Sequence, residues 1–183
     1  MSRGPLWAAL VFFAAGGVSL STLPRIKEQL RMQYSASESY FHYPILVPSG
    51  IVQIRKDSNG KGNFGANRDG HRKHQGVDLT VPAHMPVFAS KSGRVLFAGL
   101  EKGYGNYIEL LHPDGRATRY AHLTERCVQA GDWVTLGSVI GTSGRTGNAA
   151  GRKIRPHVHF EIRALGIPVD PGAGLMDPSV RMK

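Results

Sequence analysis

The stretch Arg155-Pro156-His157-Val158-His159-Phe160-Glu161-Ile162 alternates polar and apolar side chains. On an extended strand that alternation puts His157, His159 and Glu161 on one face and Val158, Phe160 and Ile162 on the other. Two imidazoles at i, i+2 on a strand that buries its other face each need polar partners, which core packing does not supply. A metal ion would satisfy them. One strand cannot complete a zinc site, so a carboxylate or more imidazole must come from elsewhere in the chain.

The candidates are His74 and Asp78, in His74-Gln75-Gly76-Val77-Asp78, and His122, in Tyr120-Ala121-His122-Leu123. A spacing of four faces one way on a helix or on a strand. Gly76, the β-branched Val77, Thr80 and Val81, and then Pro82, argue against a helix, so an extended segment presenting His74 and Asp78 to one side is expected. His122 ends a strand on the same face as Thr118 and Tyr120, which turns it toward the groove. Four imidazoles and one carboxylate exceed what a catalytic zinc needs, since such a site keeps three protein ligands and an open position. Two imidazoles remain to handle protons and developing charge. If the three ligands are one carboxylate and two neutral imidazoles, a zinc centre keeps about one net positive charge, enough to bring the pKa of a water toward about 7.

The elements that must position these groups read as strands, near Val77 to Val81, Val87 to Ala89, Arg94 to Ala98, Asn106 to His112, Ala117 to His122, Trp133 to Thr135, Val139 to Thr142 and Pro156 to Arg163. His112-Pro113-Asp114-Gly115 is a hairpin turn, with Pro setting φ and Gly taking a positive one. No helix-length amphipathic pattern follows Pro44. The 23 glycines and 11 prolines recur in clusters between short β-branched and aromatic runs, which is all-β punctuation. The expected fold is therefore all-β: an antiparallel sheet forming a groove in a barrel-sandwich-like single domain, with a hydrophobic segment ahead of it. The walls of the groove are expected from a long Gly/Asn/Asp/Lys-rich loop, 57–70, and from 144–155.

With 183 residues the chain can build one good core. Residues 4–24 carry no charge and follow Arg3. A basic start, an apolar run and then small residues predict a signal peptide, while the run is also long enough for a membrane anchor, so 1–24 is read as one or the other. Residues 25–43 read as a linker and 44–183 as the domain. Contact with a membrane is expected only through an uncleaved N-terminal segment. The single cysteine, Cys127, excludes an intramolecular disulfide and a thiolate zinc cluster. A formal charge of +10 predicts attraction to polyanions. The basic residues are scattered and no aromatic platform accompanies them, so no nucleic acid is expected; anionic envelope polymers are the better match.

The motifs H-x-G-x-D, then Y-A-H-L, then H-x-H-F-E, resemble the lysostaphin-type zinc endopeptidases that cut peptide bonds in bacterial peptidoglycan. Gly103-Tyr104-Gly105-Asn106-Tyr107, Gly131-Asp132-Trp133-Val134 and Gly141-Thr142-Ser143-Gly144 add to the likeness, which covers roughly Pro44 to Arg163. It implies that His74, Asp78 and His159 bind zinc, and that His122 and His157 act on the water and the oxyanion. His157 is the first candidate for general base, and the sequence does not separate the two roles. The implied substrate is the stem or crosslink peptide of peptidoglycan, and the implied location is the periplasm or cell envelope. A chain without an H-E-x-x-H helix lacks a glutamate base of the thermolysin kind.

Two other readings compete with this one. A non-catalytic groove that regulates another wall hydrolase would be expected to lack ligands. A lipoyl-type carrier, suggested by Ser92-Gly93-Arg94-Val95 and the glycine-punctuated run 128–137, leaves the histidines unexplained. The stretch Asn148 to Arg155, with Arg152, Lys153 and Arg155, departs from the family pattern as an inserted basic loop, read either as a contact for a stem-peptide carboxylate or as solvated surface. His42, His71, His84 and His112 are expected to be bystanders.

Overall fold

The computed structural model describes residues 23–68, 70 and 72–183. The apolar segment read as a signal peptide or anchor lies almost wholly outside them. Two compact units divide at Tyr34/Ser35. A helix, Leu23–Ala36, begins in the first, and its last two residues fall in the second. Among the described residues no helix is long and apolar enough to cross a membrane.

The second unit is organised around the strand His157–Ala164. It lies within a seven-stranded sheet whose main path runs Trp133–Val134, Gly93–Glu101, Gly105–Leu111, Arg116–Leu123, His157–Ala164, Ile167–Val169. On one side the central strand pairs antiparallel with Arg116–Leu123. On the other its first half pairs with Val77–Thr80, and its second half with Ile167–Val169. All eight strands expected from the sequence are present, with ends displaced by no more than one residue, apart from the third, which runs on to Glu101.

One face of this sheet is the core. Val77, Leu79, Val95, Ile108, Leu110, Tyr120, Val158, Phe160 and Ile162 are buried there, with Val87 and Ile140 from a three-stranded sheet of Glu125–Arg126, Val139–Thr142 and Pro86–Phe88. The alternation along 157–162 is therefore realised as read: its apolar residues enter the core and its polar ones face the groove. Gly76 is required by this packing, because a Cβ there would collide with the carbonyl of Phe160.

Two expectations need correction. Residues 25–43 are not a simple connection: after the helix, Glu38 to Tyr43 already belong to the packed unit. The Glu38 carboxylate accepts the Ser92 backbone N–H at 2.7 Å, Phe41 is buried in the core, and the Phe41 and His42 amides bond to Leu175 and Ser90. A buried phenylalanine outweighs the polar composition around it. The stretch 57–70 is not one open loop either. It contains the ribbon Lys56–Asp57/Gly60–Lys61 and half of Asn67–Arg68/Arg72–Lys73, strands of two residues that no periodicity could reveal.

Candidate metal centre

The register of the sheet brings the polar groups together. His159 lies directly opposite Asp78 across one strand pair and opposite Ala121 across the other. His74 precedes the Val77–Thr80 strand, and its backbone is tied to the adjoining loop by bonds between His74 N and Ala66 O and between Gly65 N and His74 O. His74 Nε2, Asp78 Oδ1 and His159 Nδ1 lie 2.9 to 3.0 Å from one another, and all three residues are buried.

The outward atoms of these groups fix the chemistry of the inward ones. His74 Nδ1–H donates to the Asn63 carbonyl at 2.9 Å. His159 Nε2–H donates to Glu161 Oε1 at 3.0 Å. In the neutral imidazoles the inward nitrogens are then bare lone pairs. Asp78 Oδ2 accepts from Arg55 Nε and Nη2 at 3.2 and 2.9 Å and from Arg68 Nη2 at 2.8 Å, leaving Oδ1 to face the two imidazoles. Three acceptors in contact, with no donor among them, repel unless a cation or a proton sits between them. Two imidazoles and one carboxylate form a donor set that fits zinc. The outer partners are of the kind that orient ligands and raise their basicity.

Without a metal the same pressure falls on the proton. Burial pushes the His159 imidazole down, but its bonds to Asp78 and Glu161 outweigh that and lift it to about 9. Burial likewise pushes Glu161 up, yet its bonds from His159, Tyr104 and Arg163 bring it down to about 2. Asp78 is held well below the usual carboxylate range: the bonds to His159 and His74 overcome its burial.

Two more imidazoles border the triad. His157 Nδ1–H donates to the Arg155 carbonyl at 2.7 Å, which leaves Nε2 as a lone pair 3.8 Å from Asp78 Oδ1. His122 Nδ1–H donates to the Thr146 carbonyl at 2.9 Å, so its Nε2 is bare as well. The two rings meet edge to face, with centroids 5.0 Å apart. Burial drives both below the ordinary histidine value. His122 falls to about 3, with the neighbouring His159 and His157 adding to the effect. For His157 the Asp78 carboxylate offsets part of the burial.

His122 reaches the groove for a different reason from the one read in the sequence. Thr118 and Tyr120 are on the opposite, core face: Tyr120 pairs with Phe160, packs against its ring, and bonds through its hydroxyl to the Ser90 N–H. Strict alternation would send His122 into the core with them. The strand instead carries a register shift between Tyr120 and Leu123, and His122 has φ +63°. A bulge of this kind re-aims one side chain; Leu123 beyond it returns to the core.

A groove of about 780 Å³ runs past these residues. Its lining includes Asn59 and Arg68 from the stretch 57–70, Asn148, Ala149 and Ile154 from the stretch 144–155, and also the turn Glu101–Tyr104, which was not among the expected walls. Arg152 and Lys153 of the basic insert are exposed. His84 is exposed and lies away from the groove lining, whereas His71 lies outside the described residues. His112, beside the turn at Pro113, also lies outside the groove lining. It is buried, with Nδ1–H on the Ser92 carbonyl at 3.0 Å and Nε2 bonded to Thr118 Oγ1 at 2.8 Å.

The sequence reading did not pick out Arg55 and Arg68, and it gave Glu161 and Tyr104 no part in holding the ligands; the Tyr104 hydroxyl donates to Glu161 Oε1 at 2.7 Å. Glu161 carries a signal, being two residues beyond His159 on the same face, and Tyr104 lies in the Gly103–Tyr107 motif, whereas Arg55 and Arg68 carry none.

Fold and site define a class: an antiparallel β-sheet protein with a divalent-metal site on the wall of an open groove. The chain belongs to Peptidase family M23, whose profile matches residues 72–171. It is 42% identical over 100 residues to the DD-carboxypeptidase/endopeptidase Mpg of Neisseria meningitidis serogroup B, covering 55% of this chain and 22% of that protein. It is 35% identical over 100 residues to the peptidoglycan DD-endopeptidase ShyC of Vibrio cholerae, with the same coverage. The chain thus spans less than a quarter of the length of these relatives. Among solved structures it resembles a zinc-containing peptidase from Vibrio cholerae, with a TM-score of 0.61 and 28% identity over 75% of this chain and 41% of that one. It also resembles the catalytic domain of lysostaphin from Staphylococcus simulans, with a TM-score of 0.52 and 34% identity over 63% and 88% of the two chains.

Proposed function

We propose that this protein is a zinc-dependent endopeptidase that hydrolyses stem or crosslink peptide bonds of bacterial peptidoglycan. The observation that carries the reading is the convergence of three lone pairs, from His74, Asp78 and His159, beside two further neutral imidazoles in an open groove. The family and the names of the relatives supply the substrate class. In this reading His74, Asp78 and His159 hold the metal. When bound there, zinc supplies Lewis acidity, polarising a carbonyl and making water acidic near pH 7.

The chain's own residues do the rest. His157 is the general base: its Nε2 is bare, its Nδ1–H is anchored, and the imidazolium it forms faces the Asp78 carboxylate. His122, whose cation is opposed by burial and by its neighbouring imidazoles, holds a proton only when new negative charge arrives, which is what an oxyanion brings. An extended peptide in the groove would be fixed for attack on one side. The +10 chain would stay close to anionic envelope polymers, and the segment 1–24 would serve export or anchoring. Residues 44–183 contain every group named here.

The test is release of new amino termini from purified peptidoglycan by the zinc-loaded protein and by His159→Ala, with fragment masses naming the bond. Metal-dependent cleavage by the parent alone is expected. Stoichiometric zinc without cleavage of any wall chemistry would overturn the reading in favour of a non-catalytic groove.

A further inference from the structure

Asp57 stands in the short ribbon at the groove wall, and its two carboxylate oxygens face different partners. Oδ1 accepts from Arg55 Nη1 at 2.7 Å and from the Asn59 backbone N–H at 2.9 Å. Oδ2 accepts the Arg155 backbone N–H at 3.2 Å. The Arg155 carbonyl in turn receives Nδ1–H of His157 at 2.7 Å. On the other side Arg55 gives its Nε and Nη2 to Asp78 Oδ2. The side chains of Arg55 and Asp57 are only 4% and 6% exposed. An unbroken chain of bonds therefore runs from Asp78 through Arg55, Asp57 and the Arg155 peptide to His157.

We propose that Asp57 is a positioning residue that sets the tautomer and aim of His157 by clamping the backbone at Arg155, and that Arg55 couples this clamp to Asp78. The inference rests on the reading of His157 as general base. Arg155 is exposed, at the end of the basic insert and ahead of the strand, and it precedes Pro156, which holds it extended but offers no N–H of its own to fix the turn. Its amide is held by Asp57, 98 positions away in the chain. Without that hold the Arg155 carbonyl can turn to water, and His157 loses the acceptor that keeps its proton on Nδ1. The other tautomer would place a proton where a base needs a lone pair. Removing Asp57 still leaves Arg55 paired with Asp78, so no buried charge is orphaned.

The experiment uses the zinc-loaded full chain as parent, Asp57→Ala, Asp57→Asn and the ribbon control Lys56→Ala. Long-range proton–nitrogen spectra of the imidazoles read the His157 tautomer, and zinc content, circular dichroism and peptidoglycan hydrolysis are measured alongside. Asp57→Ala is expected to move the His157 proton partly to Nε2 and to lower kcat about 10- to 100-fold, in the range found for residues behind a site. KM, zinc content and fold should stay at parental values, and Lys56→Ala should match the parent throughout. Should Asp57→Ala not fold, Asp57→Asn, which keeps the size but only one acceptor oxygen, is read in the same way. Parental His157 signals in a folded Asp57 variant, or a loss of rate matched by loss of zinc, would overturn the proposal. The ring spectra need no turnover: a tautomer shift in a protein that never cleaves peptidoglycan would support the positioning role and remove the functional reading instead.

Discussion

Asp78 and His159 face each other across two antiparallel strands, and the carboxylate oxygen that meets His159 Nδ1 at 2.9 Å also meets His74 Nε2 at 3.0 Å. One oxygen thus sees both imidazoles, while its twin is occupied by two arginines. The division of labour within a single carboxylate makes this a place for a cation rather than an ordinary buried ion pair.

Metal and proton should compete for that place. In the metal-free protein His159 is raised from 6.5 to about 9. Its stabilising effect is then full below about pH 6.5 and is lost as pH rises through about 9, up to about 3 kcal/mol. Thermal unfolding in a chelator between pH 6 and pH 10 should show that decline, and zinc-loaded protein should not.

Glu161→Gln should weaken zinc binding by about 10- to 100-fold. The amide can still meet His159 Nε2, but it loses the charge that fixes the inward lone pair, and it leaves Arg163 and Tyr104 without their carboxylate. Competition with a chromophoric chelator measures the change.

His157→Ala and His122→Ala should each retain stoichiometric zinc, since neither belongs to the triad, yet lower kcat by about 10²- to 10⁴-fold. Metal analysis beside the hydrolysis rate checks this, and loss of zinc in either variant would contradict the assignment.

Gly76→Ala should destabilise the fold by about 1–3 kcal/mol, the usual range for overpacking, because the added methyl meets the Phe160 carbonyl. As Gly76 lies between His74 and Asp78, zinc affinity should fall with it. Urea unfolding with and without zinc separates the two effects.

Much of the molecule was legible in its residue order. Strand alternation placed His157, His159 and Glu161 on one face because the period of a strand is two, whatever surrounds it. The spacing of His74 and Asp78, the glycine and proline punctuation and the single cysteine bounded the fold and the chemistry in the same local way. His122 was found for the wrong reason: a bulge is one residue's departure from the period, and only the partner strand's register reveals it.

What the tertiary structure alone decided is which groups stand behind the ligands. Arg55, Asn63 and Asp57 lie on short ribbons and loops with no periodicity, and Arg55 sits 23 positions from the carboxylate it holds. A hydrogen bond is directional and reaches about 3 Å, so such partners are fixed by how strands stack in space. Residue types along the chain could state that a metal and a base were needed; only the folded register could aim their lone pairs.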